Sequence, residues 1–501
     1  MDPWGWVNRD GAYGAFVGMH LRQGLRPAPV FTEGANYQGT LKGHIAAALS
    51  LLGIDDWSLL MVLAGVLLSL VSVAAGMAVA RRIAGRPAAI ISGLYLALAP
   101  RFLVVFSLNG VGQYVDVLAL GGVALALVAR PMASDPRAHA AVCAGAGVLL
   151  GAGFWQQPVA LSYVAAAVIV LALRRGNGLA WAMGGFAVGA LPVVLWNLHH
   201  AWASGDIMGR DPADLRAQAD ALPRLLRRTL TISFPILAGV APGHPWADNL
   251  IARAIAVALI PSAVVAYLAL EGRGIVASVR ARAGSAALLP PLLLAAAVAL
   301  AWAAASGKVY WRPRYLLPVV AATAIHLGVV LGRLWMRSRL ASATVTAALL
   351  VLNVAGLAFP PGDGTTPRLF AGREIAQPYA QLVRSLERKG IRTGYADFSL
   401  SAPVTMFTGG RIILSSRLGP TPAYESDLHA RTVAERGPDA YVLRAEDDPA
   451  AFAAVLDGLG VTYQMEIDPV PVFYRMSRPV AIEEVAGFRA PRTTGGHESD
   501  F

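Results

Sequence analysis

Apolar residues come in long blocks through the middle of the chain and in short, alternating patterns at both ends. From residue 40 to 359, runs of about 18 or more apolar residues recur, each long enough to cross hydrocarbon as a helix. They predict spanning helices near 57–80, 87–107, 112–130, 138–154, 157–173, 179–197, 250–270, 285–305, 314–333 and 340–358. The run 229–243 contains Pro235 and is bounded by Pro242, which predicts a re-entrant or interfacial segment.

Two shorter helices are predicted ahead of the first long run. Within 10–23, Tyr13, Phe16, Val17 and His20 share one face at i, i+3, i+4 and i+7. Arg26-Pro27-Ala28-Pro29 ends that helix, and Gly53 closes a second one over 40–53. Neither is long enough to span, so both suit the membrane interface. Beyond residue 359 the pattern shortens. Helices are expected over 373–389, 426–436 and 449–459, and strands over 391–396, 411–414, 440–443, 462–467 and 471–476. Ser426 is a plausible N-cap.

These patterns imply a mainly α fold: a polytopic helical membrane bundle of about ten spans with a small C-terminal α/β domain. The expected division is 1–359 for the transmembrane domain, with 1–56 as its first outer loop. An α/β domain then covers 360–488, and a Gly-, Thr- and Arg-rich tail, 489–501, reads as disordered.

Composition agrees. Hydrophobic residues make up 56% of the 501 and charged ones 15%, against roughly a quarter in soluble chains. The net charge of +11 is carried by arginines at the ends of apolar runs. One set of loops holds Arg81, Arg82 and Arg86, then Arg130 and Arg137, Arg174 and Arg175, Arg273, Arg280 and Arg282, and Arg333, Arg337 and Arg339. The opposite short loops near 108–112 and 155–157 hold no Lys or Arg. The positive-inside rule puts the arginine loops in the cytoplasm, and the first loop, the loop 198–249 and the C-terminal domain outside. An inner-membrane, multi-pass protein with an extracytoplasmic C-terminal domain is therefore expected. Residue 1 is not followed by a basic end and an apolar core, so no signal peptide is read. An outside N-terminus then predicts that a first spanning helix is missing from these residues. No basic stripe is interleaved with stacking aromatics, which argues against nucleic acid. The single cysteine, Cys143, excludes an internal disulfide and a cysteine-rich metal site.

Polar groups crowd into Arg9 to His44, at the mouth of the predicted bundle. Asp10-Gly11-Ala12-Tyr13, Gly24 and Tyr37-Gln38-Gly39-Thr40-Leu41 together resemble the first outer loop of the GT-C glycosyltransferases. The branch they resemble is the family-39-like, PMT-type one, which includes aminoarabinose transferases. Phe106-Ser107-Leu108 through Gly112-Gln113-Tyr114-Val115-Asp116 is similar to the second outer loop. Gly153-Phe154-Trp155-Gln156-Gln157-Pro158 is similar to the third. Gly189-Ala190-Leu191-Pro192 with Trp196-Asn197-Leu198, Arg314-Tyr315-Leu316-Leu317-Pro318 and Tyr395-Ala396-Asp397 follow the same order.

The resemblance implies a transfer, with inversion, of a sugar from a polyprenyl-phosphate donor to a hydroxyl of a glycan, lipid or protein acceptor. The expected partners are that donor, that acceptor and membrane lipids. Such a reaction needs a carboxylate base for the hydroxyl proton. It also needs cations, or a divalent ion such as Mg or Mn, against the leaving phosphate. Asp10 matches the first acid of the family pair, as base or else as a helix N-cap; Gly11 replaces the second acid. Glu33 is the nearby acid that would compensate. Asp116 is a second catalytic candidate and, with Asp10, a metal candidate, or else a hydrated helix-end residue. Lys42, Arg101, Arg312 and Arg314 are candidates for the lipid phosphate, with headgroup contact as the alternative. Tyr37 and Tyr114 either orient the sugar or belong to an aromatic belt. His199 and His200, adjacent and so on different helix faces, fit an interface better than a metal. Asp206, Asp211 and Asp214 fit a solvated loop. Two other readings stand beside the transferase: a lipid-linked-glycan transporter, and a catalytically inactive relative that binds lipid-linked glycan.

Overall fold

The computed structural model describes residues 9–24, 29–33, 35–108, 112–131, 135–174, 176–202, 204, 223–240, 249–304, 313–358, 372–418, 426–485 and 488. The predicted tail, 489–501, lies outside them, as do Asp206, Asp211 and Asp214. The chain forms two compact units: Met1–Ala64 with Leu108–Gly112 and Leu369–Ser499, and Gly65–Ser107 with Gln113–Arg368.

Helices make up the second unit. They are the long α3 (Trp57–Ala97), which begins in the first unit, then α4 (Arg101–Leu108), α5 (Tyr114–Val128), α6 (Pro136–Gln156), α7 (Leu161–Leu173), α8 (Gly178–Gly189) and α9 (Leu191–His199). They continue as α10 (Leu250–Arg280), α11 (Leu289–Ala304), α12 (Leu317–Trp335) and α13 (Arg339–Ala358). All ten predicted apolar stretches are helical. Among the described residues five helices are long and apolar enough to cross a membrane, or six if the bent pair α8–α9 is one span.

Local chemistry sets the breaks. α3 is two helices in sequence, because Gly85 at φ +81° follows Ala84 at φ −137°. Only glycine enters that left-handed region at little cost, and Pro87 then sits in the first turn of the second half, where no N–H is missed. Pro100 separates α3 from α4, so the predicted run 87–107 is divided. Pro136 and the Asp135 carboxylate, which accepts from the N–H groups of Arg137 and Ala138, start α6. The stretch holding Pro235 is a π-helical turn, Thr229–Ser233, running into Phe234–Leu237.

α6 and α8 pack backbone to backbone. Gly147 and Gly151 on α6 face Gly185 and Gly189 on α8, and a Cβ on Gly147 would overlap the Ala182 carbonyl. One on Gly185 would overlap the Ala144 carbonyl. Small residues four apart let backbones touch where water gives no driving force. A buried polar pair, missed in the sequence, ties α10 to α12. Tyr267 donates to the Ala287 carbonyl at 2.7 Å, and its ring meets His326 edge-on with centroids 4.6 Å apart.

The first unit joins both ends of the chain. α1 (Arg9–Arg22) and α2 (Leu41–Ser50) pack with the start of α3 and a helix of the C-terminal part, Phe398–Phe407. Their shared core includes Ala12, Phe16 and Met19, then Ala46, Trp57, Leu60 and Met61, closed by Ala402 and Met406. That C-terminal helix was not predicted. Its Pro403 hid it, yet Asp397 caps it through the Ser399 N–H at 2.9 Å.

A five-stranded sheet completes this unit: β1 (Thr393–Ala396), β2 (Ile413–Ser415), β3 (Ala440–Val442), β4 (Gln464–Ile467) and β5 (Pro471–Tyr474), ordered β2-β1-β3-β5-β4. β1 is parallel to β2 and β3, while β5 is antiparallel to β3 and β4. Period-two alternation puts Ala440 and Val442 in one core with Leu382 and Leu386, and Tyr441 in the other with Phe452 and Phe473. The predicted cap is present, since Ser426 accepts from the His429 N–H at 3.3 Å. Asp439 holds the edge of β1 to β3. Its carboxylate accepts from the Arg392 and Thr393 N–H groups at 2.7 and 2.9 Å. Asp439→Ala is expected to cost about 2 kcal/mol, read as a lowered melting temperature of the whole chain.

Candidate functional site

The polar loop of the first unit is built on glycine contacts. A Cβ on Gly43 of α2 would come within 2.6 Å of the Gly14 carbonyl and 2.7 Å of Val17 Cβ on α1. A Cβ on Gly18 would lie 2.9 Å from the Gly43 carbonyl. The two short helices therefore meet backbone to backbone, which fixes Lys42, the residue before Gly43, close beside α1. Lys42 is fully buried, with no exposed surface. Its long stem ends inside the protein and not in a headgroup layer.

Between the helices the chain folds back on itself. Thr40 Oγ1 donates to the Pro29 carbonyl at 3.2 Å, and the Thr32 N–H to the Gln38 carbonyl at 2.8 Å. The Tyr37-to-Leu41 motif is the returning arm of this turn. Tyr37 is half-buried there, its N–H bonded to the Ala35 carbonyl at 2.7 Å. Glu33 sits at the tip, its carboxylate 3.6 Å from His20 Nδ1. His20 in turn stands 3.2 Å from His429, Nε2 to Nε2, and both rings are buried. Phe16 covers His429 edge-on at 4.5 Å. His20 was expected on this face of α1, but nothing in the sequence links it to a residue 409 positions away. Asp10 is the second residue of α1; its side chain lies outside the described residues.

His429→Leu removes the ring–ring hydrogen bond while keeping an apolar body against Phe16. The expected cost is about 1–2 kcal/mol, measured as the thermal stability of the whole chain at neutral pH.

In the second unit, Arg101 opens α4 and is 5% exposed. Tyr114 opens α5, with Asp116 in the same first turn and no exposed surface. The Asp116 carboxylate is therefore enclosed by protein at the start of its helix. A carboxylate at that depth gains from the N-terminal end of its helix dipole. A line of rings connects the predicted groups: Phe106 to Tyr114 at 5.5 Å, then Tyr114 to Tyr315 at 6.4 Å. The Arg314 guanidinium lies 5.7 Å over the Tyr315 ring. Tyr114 is buried in the protein rather than set in an aromatic belt. Arg312 lies outside the described residues. Of the predicted residues, Glu33, Tyr37 and Lys42 belong to the first unit, and Arg101, Tyr114, Asp116 and Arg314 to the second.

His199 and His200 each return Nδ1 to the carbonyl four residues earlier, at 2.7 and 2.8 Å, and His200 stacks on Trp196 at 4.0 Å. Among the described residues no three of His, Cys, Asp and Glu are grouped so as to hold a metal ion.

No protein-family model matches the chain, and no curated protein matches it by sequence. Solved structures do. ArnT from Cupriavidus metallidurans bound to undecaprenyl phosphate aligns with a TM-score of 0.56 at 15% identity, over 98% of this chain and 96% of that one. The same protein in the apo state aligns at 0.54 and 15% identity, over 98% and 97%. AglB from Archaeoglobus fulgidus, in complex with an inhibitory peptide and a dolichol-phosphate, aligns at 0.43 and 13% identity, over 90% and 67%. Over nearly its whole length the chain has the fold of ArnT.

Proposed function

We propose that the protein is a membrane glycosyltransferase that moves a sugar from a polyprenyl-phosphate donor to an acceptor hydroxyl on the outer face of the inner membrane. The observation that carries this reading is the ArnT likeness along 98% of the chain, whose counterpart holds undecaprenyl phosphate. Two of the cations proposed for the lipid phosphate, Lys42 and Arg101, are buried, where a positive charge is stable only against a negative one.

In this reading Asp10 takes the proton of the acceptor hydroxyl as it attacks the anomeric carbon. The bond to phosphate breaks on the opposite face, giving inversion through an oxocarbenium-like transition state. Lys42, Arg101, Arg312 and Arg314 offset the charge that builds on the departing phosphate. Tyr37 and Tyr114 hold the sugar, and Asp116 and Glu33 supply the second carboxylate that Gly11 does not. The C-terminal sheet stands outside the membrane, on the side without arginine loops.

Lys42→Met keeps the stem and removes the charge. The expected result is a donor KM raised at least about tenfold, with kcat changed less, in an assay of labelled sugar transfer from undecaprenyl-phosphate donors. Gly11 favours a second reading, a binding protein without turnover. Donor binding without any transfer by wild-type protein, across a panel of acceptors, would establish it.

A further inference from the structure

The helix ends that carry Arg130 and Arg174 enclose a cavity of about 220 Å³ in the second unit. Arg130, His139, Cys143 and Arg174 line it among apolar side chains that include Leu127 and Val142. Among the described residues no carboxylate is in its wall. Asp135, nearby at the start of α6, is occupied in capping the Arg137 and Ala138 N–H groups.

Arg174 is held in place by backbone. Its Nε donates to the Gly284 carbonyl at 3.0 Å and its Nη1 to the Arg130 carbonyl at 3.2 Å. Its remaining N–H groups make no bond to a described residue, and a guanidinium has five. Arg130 is exposed and forms no ion pair with a described acid. His139 stands 3.7 Å from Cys143, Nε2 to Sγ. Gly178 lets α8 begin against this wall, since a Cβ there would come within 3.0 Å of His139 Nε2.

Two guanidinium groups and an imidazole with no acid between them attract an anion. A planar fork held on carbonyls presents parallel donors, the geometry that suits phosphate oxygens. The volume is below the roughly 300–1,000 Å³ of ordinary small-molecule pockets, which favours a headgroup over a nucleotide. The cavity lies where α5 and α7 end and α6 begins, the level at which lipid phosphates sit beside a spanning bundle. Apolar side chains such as Leu127 and Val142 in the same wall suit the glycerol and first methylenes of such a lipid. We propose that this cavity binds the phosphodiester headgroup of an anionic phospholipid, independently of any transferase chemistry.

Native mass spectrometry of the purified full-length chain tests this, with phosphatidylglycerol, phosphatidylcholine or inorganic phosphate added. Wild-type protein should retain one phosphatidylglycerol in preference to phosphatidylcholine. The double variant Arg130→Gln/His139→Gln should hold it about tenfold less tightly, and Arg137→Gln, outside the cavity, as tightly as wild type. If the double variant melts early, Arg130→Gln alone serves, because that side chain is exposed. Equal retention of the two lipids overturns the proposal, as does unchanged binding by the cavity variants. Displacement of the lipid by inorganic phosphate at the same concentration overturns the lipid assignment.

Discussion

Asp10→Asn is expected to reduce sugar transfer by about 10³-fold while leaving the melting temperature unchanged. General-base catalysis contributes typically 10²–10⁴-fold, and asparagine keeps the shape of the side chain but cannot accept the proton. Asparagine also fits the first turn of α1, so a purely structural role predicts near-normal rates. The substitution therefore separates the two readings of this residue. Labelled transfer from an undecaprenyl-phosphate donor is the measurement, with donor binding as a control. Wild-type turnover in the variant would remove Asp10 from the chemistry.

Gly147→Ala combined with Gly185→Ala should be the most damaging small change in the second unit. Each added methyl is directed at a carbonyl of the opposing helix and not at a side chain that swings aside. Overpacking typically costs 1–3 kcal/mol per site, so the pair should cost about 3 kcal/mol or more. Thermal unfolding in detergent would show it, and Gly145→Ala is the control. Gly145 lies on the same helix, where a Cβ meets nothing within 4 Å. Equal melting temperatures for the two proteins would mean that α6 and α8 separate without loss.

The helices were legible because spans must satisfy their own backbone and be apolar over a fixed length. Each predicted apolar stretch is helical for that reason. Breaks were less legible. A single glycine at positive φ divides α3 without leaving a polar loop, and Pro403 lies inside a helix that the sequence pattern passed over. Ser426 was read as a cap from its residue type alone, since capping is local. The contact of His20 with His429 was invisible for the opposite reason. No periodicity reports a pairing between two distant segments. The glycines of α6 and α8 were present as letters, but only the partner helix gives their spacing its meaning.

Because α1 leans on Ala402 and Met406, the opening segment is made long before its support. At about 5–20 residues per second, the ribosome needs some tens of seconds to add the intervening chain. Throughout that wait α1 rests on α2 and the start of α3, but its contact with Ala402 and Met406 is missing. Its burial is completed only when residues 398–407 arrive.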